Sequence, residues 1–381
     1  MPIMFVIMST MDSPVKPYNL YLDYRLSPET EGQLAEWSRV LSEEPPLPPM
    51  SWHLRRDTYL RHAAIGASIR IEGNTLSNDQ TDAVLLGNAT NVPIAQALEA
   101  RNYDAALGLA HNFAQDPAFE WSELVLRMIN GAVMRDLDDD DTQGRYRTGS
   151  VGVGAVYEAP DWQIVPGLMA TLVEWLRSSR LHPLIRTAML HLNLVAIHPW
   201  FNGNGRSARI LSQLELMRIV QAPELISIEP DLESQQETYY SRIREALGPR
   251  YSPERHSATE WVAWYVGLHA DRLSFGQRLN HATMHDIVTI LGALERRGEP
   301  VEWGPVIHTA AIGPFTTREI QDACQNCSPS AARALAARLS EAGWIEARGR
   351  TKGRHYVGSE RVRGLQLRGP ELIGRPDAFD L

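Results

Sequence analysis

The sequence predicts a mainly α-helical protein with one short β-hairpin near its middle and a compact helix, turn, helix, hairpin module towards its C-terminus. Three observations carry this. Apolar residues recur at helical spacing through most of 51–280. A Gly-rich, β-prone stretch containing Val151, Val153, Val156 and Tyr157 interrupts that pattern and ends at Pro160. Further on, helix-favouring runs on either side of Ser328-Pro329-Ser330 are followed by Trp344-Ile345-Glu346 and His355-Tyr356-Val357. These last two segments flank a basic tip from Arg348 to Arg354, the order of a winged helix.

Taken in order, 1–50 reads as an arm ending in Pro45-Pro46-Leu47-Pro48-Pro49, a short extended spacer. The segment 51–110 is helical. Its Ala-rich run through Ala63, Ala64, Ala67 and Ser68 is stopped by Gly73 and Asn74. The core, 111–280, begins with a helix from Trp121 to Met134 whose Leu124, Val125, Ile129 and Val133 face inward. The acidic run Asp136 to Asp141 is a solvated turn. It lacks the Gly and Glu positions of a calcium loop. After the hairpin come helices over Pro166 to Arg177 and Pro183 to Ile197. The second buries a stripe of Ile185, Ala188, Leu192 and Val195, with His191 as a structural residue. Tyr239 and Tyr240 precede a helical run from Ser241 to Leu247. The winged-helix module spans 284–360 and a loosely attached tail 361–381.

The composition is that of a globular chain, 44% hydrophobic and 22% charged. A net charge of −9 argues against a protein that coats nucleic acid generally, but leaves room for a local basic patch. Cys324 and Cys327 are half a zinc site at most and read as small helix residues, consistent with a reduced, cytoplasmic setting. The apolar start, Met1 to Met8, is too short for a signal peptide. No stretch is long enough to cross a membrane.

The most informative segment is His198-Pro199-Trp200-Phe201-Asn202-Gly203-Asn204-Gly205-Arg206-Ser207-Ala208-Arg209. Gly203 and Gly205 let the backbone turn sharply and approach a ligand. A helix starting there aims orphan N–H groups and its positive end at one point. Arg206 and Arg209 share a face of that helix, and Asn204 adds an amide donor. His198 titrates near neutrality and serves as a base at the lip of this anion pocket.

These residues closely resemble the signature of the Fic family, His-Pro-Phe-x-(Asp or Glu)-Gly-Asn-Gly-Arg-x-x-Arg. The resemblance implies a Fic-type helical core that transfers AMP from ATP to a Ser, Thr or Tyr hydroxyl of a target protein. It implies His198 as the general base and Gly203, Asn204 and Gly205 as the phosphate anion hole. Arg206 and Arg209 would hold the β and γ phosphates. Trp200 replaces Phe as an apolar anchor. Asn202 stands where the family places a carboxylate for magnesium, and a neutral amide grips that ion less well.

Upstream, Ser68-Ile69-Arg70-Ile71-Glu72-Gly73 resembles the family's inhibitory helix. That implies Glu72 as a brake on Arg209, with Ser68 fixing the helix through Asn204. The hairpin resembles the family's flap, with Gly154, Ala155, Val156 and Tyr157 docking the target strand. Tyr239 and Tyr240 would line the adenine pocket, or pack in the core. The expected ligands are ATP as substrate and magnesium; the expected partner is a protein hydroxyl. Asn202 keeps open altered chemistry: removal of AMP, or transfer of another nucleotide or a phosphoryl group. A third reading is a nucleotide-sensing DNA-binding regulator without turnover. Arg333, Arg338 and the wing tip are its DNA contacts. The same basic face read differently is a surface for a homodimer or another protein, and DNA is the less favoured of these.

Overall fold

The structure is a computed structural model that describes residues 18–43, 48–87, 89, 91–137, 143–153, 157–220, 223–349 and 354–374. Gly154, Ala155 and Val156 of the hairpin, the tip 350–353, the spacer's 45–47, most of the acidic turn and the segment 1–17 lie outside these residues.

The expected helical architecture is present. Helix α1 (Pro28–Ser42) starts on a Ser27 cap and is followed by the 22-residue α2 (Met50–Ile71), α3 (Asn78–Leu85) and α4 (Ile94–Gln115). Helix α5 (Glu123–Val133) starts on a Ser122 cap and buries Val125, Leu126, Ile129 and Val133. Leu124 differs from expectation, being 64% exposed, because the buried stripe is one residue out of phase with it. Strands β1 (Gly152–Val153) and β2 (Tyr157–Glu158) pair antiparallel, Val153 opposite Tyr157.

Helices α6 (Val165–Ser178), α7 (Pro183–Ile197) and α8 (Asn204–Met217) complete the centre. Helix α7 is buried nearly all round and packs on α6, α8 and the long helix described next. Helices α9 (Glu229–Ser234) and α10 (Gln236–Leu247) lead to the 37-residue α11 (Thr259–Glu295), which runs unbroken past 280. Tyr239 and Tyr240 therefore lie inside α10 and not before it.

The C-terminal part contains α12 (Gly304–Ile312), α13 (Thr317–Ala323), α14 (Pro329–Glu341), the antiparallel pair β3 (Ile345–Arg348) and β4 (His355–Gly358), then α15 (Glu360–Arg363) and α16 (Arg368–Leu372). Two apolar cores serve the centre. A third gathers the C-terminal elements around Ile307, Phe315, Ile320, Leu339 and Trp344. Trp52 of α2 belongs to this third core. Among the described residues, no helix is long and apolar enough to cross a membrane.

Candidate active site

Helix α7 ends at His198, whose left-handed backbone (φ 50°, ψ 59°) turns the chain towards α8. A non-glycine residue in that region is strained and needs neighbours that hold it there. Arg147 supplies them. Its main-chain N–H donates to Pro199 O at 2.9 Å and its Nε to His198 O at 2.9 Å. Its guanidinium also donates to the carbonyls of Gly149 (2.9 Å) and Pro160. Arg147 is buried and has been spent on backbone carbonyls, so one side chain ties the histidine turn to both ends of the hairpin.

The loop after His198 is fixed from inside. Trp200 is buried in the core. Its N–H donates to Asn204 Oδ1 at 3.0 Å, and Asn204 Nδ2 donates back to Trp200 O at 2.8 Å. The Asn204 side chain thus closes the loop, and its contribution to an anion is its main-chain N–H. Gly203 has φ +74°, and a Cβ there would lie 2.7 Å from Met134 Sδ. Asn130, buried in α5, donates to Asn202 O at 3.0 Å and accepts from Gly144 N–H at 3.0 Å. The Asn202 side chain is at the exposed surface of the loop.

Helix α8 begins at Asn204, with its first turn closed by Ser207 N–H on Gly203 O at 2.8 Å. The N–H groups of the first turn therefore have no partner within the helix. The Glu72 carboxylate sits over them. A Cβ at Gly205 would collide with Glu72 Oε1, so glycine is what lets the acid approach. Arg209 donates to Glu72 Oε1 at 2.8 Å, to Ser68 Oγ at 2.6 Å and to Ser68 O at 3.0 Å. Ser68 thus meets Arg209 directly and not Asn204. Burial opposes charge on Glu72, but Arg209, Arg206 and His198 outweigh it and keep the carboxyl below its usual range. Burial likewise works against Arg209, and Glu72 reverses the balance.

Arg206 is placed differently from Arg209. It pairs with Glu99 of α4, whose second oxygen accepts from Asn74 Nδ2 at 2.7 Å. Tyr239 is buried with its hydroxyl 2.8 Å from His191 Nε2. Tyr240 is more open and donates to Ile71 O at 3.2 Å, satisfying a carbonyl at the end of α2. Tyr157 anchors the hairpin by donating to Ala196 O at 3.0 Å.

His198, Glu72, Asn204, Gly205, Arg209, Tyr157 and both tyrosines of α10 line one cavity of ≈ 420 Å³, with Arg244 beside them. Burial lowers the His198 pKa to about 4, only partly offset by the Val195 carbonyl, so the imidazole is neutral at pH 7. Sequence reasoning missed Arg147, Asn130 and Glu99. Nothing distinguishes Arg147 from Arg145 in the chain, and Glu99 meets Arg206 across 107 positions.

A helical core that aims a helix N-terminus, a buried arginine and a neutral histidine into one cavity is an anion-handling site built for phosphate chemistry. Residues 120–216, which contain His198, the start of α8 and Arg209, match the Fic/DOC family model. The core of this chain is similar to that family. It is similar to "Protein adenylyltransferase fic-1" of Caenorhabditis briggsae, 30% identical over 60% of this chain and 45% of that protein. It is also similar to "Protein adenylyltransferase Fic" of Drosophila virilis, 32% identical over 45% and 36%. The chain spans less than half the length of these relatives. Among solved structures, a Fic family protein from Desulfovibrio desulfuricans G20 covers 90% of this chain and 98% of its own. Its TM-score is 0.59, at 25% identity. Fic-1 of Caenorhabditis elegans shares the fold over 68% of this chain and 73% of its own, with a TM-score of 0.56 and 24% identity.

Proposed function

We propose that this chain is a self-braked protein adenylyltransferase, moving AMP from ATP to a Ser, Thr or Tyr hydroxyl of a target protein. The observation that carries it is the convergence of His198, the start of α8, Arg209 and Glu72 on one cavity. The likeness of the core to proteins named adenylyltransferases supports the same reading.

The target oxygen attacks the α phosphorus as the bond to the β-phosphate bridging oxygen breaks. Pyrophosphate leaves with that electron pair, and the hydroxyl proton passes to the neutral imidazole of His198. The α8 N–H groups and Arg209 bear the charge of the departing phosphates. Phosphates seated there also raise the basicity of His198, as nearby negative charge favours imidazolium. The hairpin, with Gly154, Ala155, Val156 and Tyr157, docks the target segment. Glu72, held by the same Arg209 that Ser68 grips, is the brake: its carboxylate lies where a phosphate must sit, and two anions do not share that point.

A protein-held magnesium fits these residues poorly. Asn202 offers one neutral oxygen, and among the described residues no group of three His, Cys, Asp or Glu side chains converges on an ion site. Magnesium prefers charged oxygens, so no step is assigned to the chain's own grip on it. The same neutral position favours transfer of a group other than AMP as the second reading.

Labelling with α-phosphate-tagged ATP tests both. Glu72→Gly should increase protein-bound label over the parent, and adding His198→Ala should abolish it. Equal label in all three overturns the reading, and the adduct mass identifies the transferred group.

The C-terminal elements carry a separate expectation of a winged helix that meets DNA. A groove of ≈ 600 Å³ lined by Arg318, Arg333 and Arg354 supports it by charge, since among the described residues no carboxylate lines that groove.

A further inference from the structure

Helix α2 joins the C-terminal core, through Trp52, to both central cores, through Ile65, Ile69 and Ile71. Its last turns carry Ser68 and lead into Glu72. Its first turns are built into the C-terminal elements, packing on α12 and α13. Trp52 lies in the C-terminal core, with its ring centroid 6.1 Å from that of His308. A Cβ at Gly304 would collide with the Trp52 indole, so the two elements are in closest contact there.

A buried charge cluster fastens the same end. Arg55 donates to Asp82 of α3 at 3.1 and 2.7 Å and pairs with Glu319 of α13 at 3.0 Å. His62 lies 2.6 Å from the same Asp82. Glu319 is itself fixed, accepting from Thr316 N–H at 2.7 Å in the capping box of α13. One turn on from Trp52, Arg56 donates to Asn280 at 3.1 Å and to Thr283 at 2.8 Å, both on α11.

The helix between these two ends contains no proline. Sixteen residues separate Trp52 from Ser68, about 24 Å of continuous α-helix. A rigid rod clamped in one core and seated in the other transmits a displacement from end to end.

We infer that the C-terminal elements set the brake: the seating of Trp52, Arg55 and Glu319 fixes the position of α2 and thereby holds Glu72 against Arg209. A partner that shifts α12 and α13 releases Glu72 without touching the active site. By linkage, a nucleotide that displaces Glu72 loosens the seat at Trp52. The consequence for activity rests on the adenylyl-transfer reading; the mechanical coupling does not.

The experiment perturbs the seat from the C-terminal side in the full chain. Gly304→Ala presses on Trp52, and Glu319→Gln removes the charge facing Arg55 while leaving an oxygen for Thr316 N–H. Leu339→Ala, in the same core but on α14, which packs on α13 and β3, is the control. Hydrogen exchange is read over 68–73, together with AMP incorporation from labelled ATP.

Both seat variants should speed exchange over 68–73 several-fold and raise incorporation towards that of Glu72→Gly, with no further rise in the double variant. Leu339→Ala should do neither. Faster exchange confined to 50–58 and 304–323, or an equal effect of Leu339→Ala, overturns the inference. Faster exchange over 68–73 in a protein whose Glu72→Gly form takes no label supports the coupling and refutes adenylyl transfer instead.

Discussion

Replacing Glu72 by Gln keeps the shape of the side chain and removes its charge, so it isolates the electrostatic part of the brake. In the parent, Arg209 is 2% exposed and Glu72 30% exposed across a 2.8 Å contact. Breaking a buried ion pair from one side costs about 3–5 kcal/mol. The solvent on the Glu72 side reduces this to about 2 kcal/mol. The parent must give up that energy before a phosphate reaches Arg209, and the variant need not. About 2 kcal/mol corresponds to a roughly 30-fold difference in Kd. Glu72→Gln should therefore bind a non-transferable ATP analogue roughly 30-fold more tightly by calorimetric titration. Its stability should move the other way. Without nucleotide the buried Arg209 has lost its counter-charge, and the variant should melt a few degrees below the parent. With saturating nucleotide the order should reverse, because the tighter ligand stabilises more at equal concentration. Equal affinities in the two proteins would refute the claim that Glu72 and phosphate compete for one site.

Three further predictions follow from the same geometry. Arg147→Lys cannot span the carbonyls of His198, Gly149 and Pro160 that the guanidinium reaches, so labelling should fall at least tenfold while analogue Kd changes little. An unchanged rate would show that the His198 turn stands without it. Asn202→Asp adds a charged oxygen to the loop that leads into α8 and should lower the magnesium concentration giving half-maximal labelling of the Glu72→Gly protein; no change would remove position 202 from ion handling. Burial lowers His191 and His269 to about 3 and His198 to about 4. Each folded pKa is below the unfolded value, so the stability these groups confer is complete above pH 6.5 and lost as pH falls towards 3–4. Each should cost about 2 kcal/mol by pH 5. Chemical denaturation at pH 7.5 and pH 5 should show the loss, and His191→Gln should remove about a third of it; a parent equally stable at both would refute the assignment.

The centre of this fold was legible because its signals are local. Helix α7 runs over the predicted Pro183 to Ile197, since proline at its start and a left-handed residue before Pro199 at its end are punctuation written in the chain. The loop with Gly203 and Gly205 was equally plain. Leu124 went the wrong way because a helix with apolar residues on more than one side does not reveal its phase. The placement of Arg206 against Glu99, and of Arg147 on the carbonyls of His198, Gly149 and Pro160, could not be read at all. Buried arginines look like surface arginines in a sequence, and their partners lie on elements brought near only by the finished fold. The role of α2 in joining the C-terminal core to the central ones was hidden for the same reason. Trp52 looks like any amphipathic helix residue until Gly304 is found beneath it.

The acid over the start of α8 also changes what the resting protein is. Without it, a guanidinium 2% exposed would have to fold into the core uncompensated. On the proposed reading, Glu72 is a resident surrogate for the substrate's own anion, tethered at an effective concentration that dilution cannot lower. On that reading the chain folds around an imitation of its ligand. An assay of the isolated, resting protein measures an exchange of one anion for another and not the filling of an empty site.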